Sequence, residues 1–189
     1  SSRGQFADHV NAKAMISIHH NAPAGARSYE PGVETFVQTG SPLSEYLGFL
    51  VYQNTFNALK QFNWVSWTSA ADAGVIRVLN NQGKDTYGMM SRPKTPTTLI
   101  ELAYIANPSE AALVKTNEYL SAVVQALADA SQTFIETSTV EIETFSTVRR
   151  YTAGEAPGYN VCSDPILQSL AEVISKAIQE AIDNGTIPK

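Results

Sequence analysis

Met15-Ile16-Ser17-Ile18-His19-His20-Asn21-Ala22 opens on apolar residues and closes on polar ones. That pattern is a short strand whose end presents an imidazole, followed at once by residues that must leave the sheet. A strand end is a rigid place to hold a metal ligand, and His is the commonest one. Further along, Thr97-Thr98-Leu99-Ile100-Glu101 is a second apolar run that ends in a carboxylate. A strand-borne carboxylate beside a strand-end His points to a zinc hydrolase, in which the metal activates water and the Glu takes its proton. Each residue alone also has a plainer reading, His19 as a satisfied structural imidazole and Glu101 as a capping or surface carboxylate.

Working outward, residues 3 to 13 carry Phe6, Val10 and Ala14 at helical spacing before the strand over 14 to 19. A second strand is expected over 33 to 38. Ser41-Pro42 then opens a long helix reaching Phe62, with Ser41 as cap and Leu43, Tyr46, Leu47, Leu50, Val51, Phe56 and Leu59 as its apolar stripe. Val75 to Leu79 reads as a short strand, Asn80-Asn81-Gln82-Gly83 as a turn, and 97 to 102 as the strand that delivers Glu101. Asn107-Pro108-Ser109-Glu110 is a helix start, and another at Thr116 or Asn117 leads to a helix near Thr133, with Tyr119, Leu120, Val123, Val124 and Leu127 inward. Helices between strands predict an α/β fold: a mostly parallel sheet with helices on both faces. Ligands in such sheets bind at the carboxyl ends of strands, where both His19 and Glu101 fall.

The character changes after residue 135. We expect one domain over 1–135 and a C-terminal extension over 136–189. The extension would hold an extra strand near 137 to 147, a Gly/Pro linker at 153 to 158, and a final amphipathic helix from Asp164-Pro165 to Asn184-Gly185. The net charge of −5, without a basic run, excludes nucleic acid as a partner, since phosphate binding needs clustered Lys and Arg. No stretch is apolar over the length of a membrane span. The single Cys162 can form no internal disulfide, and oligomeric state is left open.

Four blocks resemble the zinc-dependent N-acetylmuramoyl-L-alanine amidases of bacterial cell-wall turnover. They are Ser2-Arg3-Gly4-Gln5-Phe6-Ala7-Asp8, Ile16-Ser17-Ile18-His19-His20-Asn21-Ala22, Gly32-Val33-Glu34-Thr35-Phe36, and Leu99-Ile100-Glu101-Leu102-Ala103-Tyr104-Ile105-Ala106-Asn107-Pro108-Ser109-Glu110. The resemblance spans roughly residues 2 to 130. It implies zinc as cofactor, His19 as a metal ligand and Glu101 as the catalytic carboxylate. The reaction implied is hydrolysis of the amide between the lactyl group of N-acetylmuramic acid and the first L-alanine of the stem peptide. Peptidoglycan is the implied partner, and the implied location is extracytoplasmic: periplasm, cell wall or secreted.

The family's first His and its ligand Glu precede the His19 block, whereas this chain begins a helix before it. The expectation is therefore the later part of a longer amidase, without metal or activity on its own, because a catalytic zinc needs three protein ligands. His20 should point away from His19, and Glu34 reads as a packing or substrate-side residue. Asn21 is a candidate substrate contact or a turn residue that orients the His19 loop. Arg92, with Lys94, could meet the acidic stem peptide. Trp64 and Trp67 are either sugar platforms or loop anchors. If the Glu101 strand end is dry, its pKa should rise. Two other functions stay open: a non-catalytic cell-wall-binding or regulatory domain of the same fold, and another zinc hydrolase such as a peptidase.

Overall fold

A computed structural model of the chain describes residues 2–22, 32–65 and 74–137, together with the backbone of 149–152. The strands are β1 (Met15–Asn21), β2 (Glu34–Val37), β3 (Val75–Leu79), β4 (Thr97–Tyr104) and β5 (Arg149–Thr152). They form one sheet in the order β1-β4-β2-β3-β5. β1 and β4, β2 and β3, and β3 and β5 pair in parallel, and β2 pairs antiparallel with β4. The sheet is thus mixed but mostly parallel, within the α/β fold expected. β5 comes from the segment read as an extension, yet it joins this same sheet.

The helices are α1 (Ser2–His9), α2 (Pro42–Leu59), α3 (Pro108–Leu113) and α4 (Asn117–Glu136). Their starts follow the local chemistry of the sequence. Orphan N–H groups of a first turn need side-chain acceptors. The Ser41 hydroxyl takes the Ser44 N–H, the Asn107 carbonyl oxygen takes those of Ser109 and Glu110, and Thr116 takes that of Tyr119. Pro42 and Pro108 occupy first-turn positions where no N–H is missed.

The alternation of β4 divides the core. Ile100 and Leu102 face α2 and α4, in one cluster with Leu47, Leu50, Val51, Val123 and Phe134. Leu99 faces the other way, clustering with Phe36, Ile76, Val78 and Met90 under the loop that precedes β4. α1 lies beside β1, held by its Asp8 carboxylate. That group accepts the backbone N–H groups of Lys94 and Thr95 and the Thr95 hydroxyl.

Two helix ends and one buried helix face differ from the sequence reading. α1 stops at His9 because Asn11 takes a φ of 51°, the left-handed region that Asn tolerates and a helix does not. α2 ends at Leu59, where the Phe62 and Val65 N–H groups reach back three residues and wind the chain into turns. On α4 the buried stripe is Tyr119, Val123, Ala126, Ala130 and Phe134, while Leu120 and Val124 are each 58% exposed. The stripe includes small Ala126 and Ala130, which an apolar count would not choose, and α4 packs on α2. The strand expected at 137–147, apart from Thr137 at the end of α4, the linker, the last helix, Trp67 and Cys162 lie outside the described residues.

Candidate functional site

Register assembles the site. His19 on β1 lies opposite Glu101 on β4, and Glu101 in turn lies opposite Glu34 on β2. Residues paired across adjacent strands project from the same face. Since Ile100 faces α2 and α4, the row His19–Glu101–Glu34 stands on the opposite face of the sheet, toward α1. The Ser17 hydroxyl, two residues back on the same side, is 2.9 Å from His19 Nε2. His19 is exposed and lines an open groove between α1 and β1, with Phe6, Val10, Met15 and Met89.

Past this row the pairing shifts, so that Asn21 lies opposite Tyr104. Two steps on β1 then match three on β4, and such a bulge brings Tyr104 round to the side of Glu101. Asn21 and Tyr104 both converge on Glu34. The Tyr104 hydroxyl donates to Glu34 Oε1 at 3.0 Å, and Asn21 Nδ2 donates to Oε2 at 3.4 Å. Glu34 is 1% exposed.

Two further carboxylates carry the electrostatics. Glu101 is partly buried, and its Oε2 is buried with no hydrogen-bond partner among the described residues. Burial raises its pKa from 4.5 to about 7, as expected for a dry strand end. Glu110 is fully buried on α3. It reaches back to the N–H of Tyr104 and also receives the backbone N–H of Gly32, tying the end of β4 to the chain that enters β2. Desolvation outweighs those bonds and raises its pKa to about 8.

His20 points to the other side of the sheet, as period-two alternation requires. Its Nε2 is 2.8 Å from the Tyr119 hydroxyl on α4. Burial, then the neighbouring His19, lowers its pKa. Burial, then the Glu110 charge, raises that of Tyr119.

Arg92 is not brought to this site. It is exposed on the loop that enters β4 and makes no hydrogen bond or ion pair among the described residues. Glu101 lies four residues inside the strand, about 13 Å farther along at strand rise. Lys94 is likewise exposed at that end, where its backbone binds Asp8. Trp64 is 53% exposed.

Sequence reasoning did not single out Tyr104, and it read Glu110 only as a helix-start residue. One signal was available. Glu34 is an acid inside a four-residue strand otherwise built of Thr, Phe and Val, and all four residues are buried.

A zinc ion needs at least three protein ligands in a catalytic site. Among the described residues no group of three His, Cys, Asp or Glu side chains is placed to hold a metal. His20 is turned away and Glu34 is bound by Tyr104 and Asn21. The described residues therefore do not make a zinc site by themselves.

A family model described as N-acetylmuramoyl-L-alanine amidase matches residues 1–133. No curated protein matches the chain. Among solved structures, the N-acetylmuramoyl-L-alanine amidase from Clostridium difficile 630 is 19% identical, with a TM-score of 0.59, over 72% of this chain and 65% of that one. The catalytic domain of CwlV from Bacillus (Paenibacillus) polymyxa var. colistinus is 20% identical, with a TM-score of 0.56, over 72% and 65%. AmiC2 of Nostoc punctiforme is 20% identical, with a TM-score of 0.53, over the same shares. At these identities the likeness is one of fold. The chain spans 65% of the length of each of these three relatives.

Proposed function

Since this chain belongs to the N-acetylmuramoyl-L-alanine amidase family, we propose that it carries the Glu101 half of a peptidoglycan amidase site. The reaction is hydrolysis of the amide joining N-acetylmuramic acid to the L-alanine of the stem peptide. The observation that carries the reading is the pairing of His19 with Glu101 on one sheet face, with the Glu101 pKa raised to about 7.

In this reading Glu101 takes a proton from the attacking water as its oxygen bonds to the carbonyl carbon. It returns that proton to the departing nitrogen as the C–N bond breaks, which leaves a lactyl carboxylic acid and a free alanine amine. A carboxylate that titrates near neutrality can both accept and return a proton at physiological pH. His19 is the one imidazole on that face, and we assign it as a single zinc ligand. The remaining ligands must come from outside the described residues. Asn21 is the substrate contact beside it. Arg92, at the far end of β4, is left with a role at most remote from the scissile bond.

Peptidoglycan as substrate implies an extracytoplasmic place of action. Among the described residues no helix is long and apolar enough to cross a membrane. The solitary imidazole also favours a second reading for the 189 residues taken alone: a wall-binding or regulatory domain of the same fold.

The test supplies the remaining part of an amidase domain, fused or as a separate polypeptide, and follows free stem peptide released from purified muropeptide. Release that depends on zinc and is lost in Glu101→Gln supports the amidase. Near-normal release by Glu101→Gln refutes the role of that residue. Cleavage within the stem peptide would make the protein a peptidase, and binding of muropeptide without turnover would favour the second reading.

A further inference from the structure

A carboxylate at 1% exposure is an unusual choice for position 34, where an aliphatic residue would be buried without any desolvation cost. Its described partners say what it does. Tyr104 and Asn21 both donate to it, one to each oxygen. Asn21 itself is anchored at the backbone, its carbonyl accepting the Ile105 N–H at 2.9 Å. A carboxamide has a donor side and an acceptor side. With a carboxylate facing it, the donor side is committed, so Asn21 Oδ1 must turn the other way. Asn21 is only half-buried, and it stands two residues past His19 on the same face as Glu101.

We propose that Glu34 is a positioning residue. It locks the Asn21 carboxamide so that Oδ1 is presented beside Glu101 as an acceptor for a backbone N–H of the bound muramyl peptide. The inference rests on the amidase reading and deepens it: the ligand group is a secondary amide N–H, and the site selects it by offering an acceptor.

Glu34→Gln inverts that polarity. The new side-chain amide would donate toward Asn21, which would then flip and show its NH₂ to the ligand. A mere strut would lose binding equally for every ligand, so the readout is discrimination between ligands. The 189-residue chain, labelled with ¹⁵N, is titrated with muramyl dipeptide and with versions methylated in turn at each peptide nitrogen. For one of these nitrogens, the wild type should prefer the unmethylated ligand by about three- to tenfold, the value of one net hydrogen bond. In Glu34→Gln that preference should fall to less than about twofold. Asn21→Ala, at a half-buried position, removes Oδ1 with little risk to folding and should erase the preference in the same way.

Retention of the preference in Asn21→Ala overturns the proposal. So does a wild type that binds all ligands alike, or binds none. None of these results touches the hydrolysis test, so an amidase that releases stem peptide while failing this titration keeps its function and loses only the Glu34 assignment.

Discussion

Replacing Glu101 by Gln should make the protein more stable at alkaline pH and leave it unchanged in acid. Folding raises the pKa of this carboxyl from 4.5 to about 7, because one oxygen is buried without a partner. The folded state therefore holds the proton more tightly than the unfolded chain. Below about pH 4.5 both states are protonated and the group contributes nothing. Between about pH 4.5 and 7 the unfolded chain ionises first, so stability falls as pH rises, and above about pH 7 the loss is complete. The rise corresponds to about 3 kcal/mol at full effect. Glu101 is only partly buried, and solvent at its open edge reduces this to about 1–2 kcal/mol.

Gln keeps the shape and never ionises. Urea unfolding of wild type and Glu101→Gln at pH 4.5, 6 and 8, at constant ionic strength, measures the difference. The midpoints should lie within about 0.2 M of each other at pH 4.5, where half of the unfolded chains are already ionised, and the variant midpoint should lie about 0.5–1 M higher at pH 8, given a slope of about 2 kcal/mol per M. Other titrating groups cancel in the comparison. A difference that does not change with pH, or a variant less stable at pH 8, would refute the claim that this strand end holds a desolvated carboxylate.

Glu110→Gln keeps an acceptor for the Tyr104 and Gly32 N–H groups, so it too should gain on wild type between about pH 4.5 and 8, in the same urea series. Gly74→Ala would drive a Cβ into the Tyr52 ring and should cost about 1–3 kcal/mol by thermal unfolding, because an aromatic ring in contact with Phe56 has to move. In the completed amidase domain, His19→Ala should lose zinc by atomic absorption, and stoichiometric zinc in the purified variant would remove His19 from the ligand set.

What the sequence could and could not disclose follows from the range of the forces involved. Caps are settled within four residues, so Ser41, Asn107 and Thr116 were readable as helix starts and the structure uses all three. The opposite orientations of His19 and His20 follow from strand period alone, and Tyr119 receives His20 on the far face. α4 was harder, because Leu120 and Val124 are as apolar as its buried residues. What decides its rotation is packing against α2, a helix more than fifty residues away, which leaves small Ala126 and Ala130 buried and Leu120 and Val124 exposed.

The same limit explains the site. Nothing near Glu34 says that β2 will run antiparallel to β4, yet that pairing alone sets its carboxylate level with Glu101. Nor does β4 announce the bulge that turns Tyr104 toward Glu34, although a uniform ladder would have sent that hydroxyl to the α2 side. Strand ends could be read from local pattern, and they delivered His19 and Glu101. The residues that hold them in register, Glu34, Tyr104 and Glu110, are joined across the sheet by side chains on different elements. Two of the three are fully buried acids, Glu34 inside a strand where local rules would put an apolar group and Glu110 at a helix start that would normally face water. Such a departure costs desolvation energy wherever it occurs. It is therefore best read as the mark of a place where the fold holds polar groups in a set geometry at the expense of stability, and for Glu110 the pH dependence of Glu110→Gln measures that expense directly.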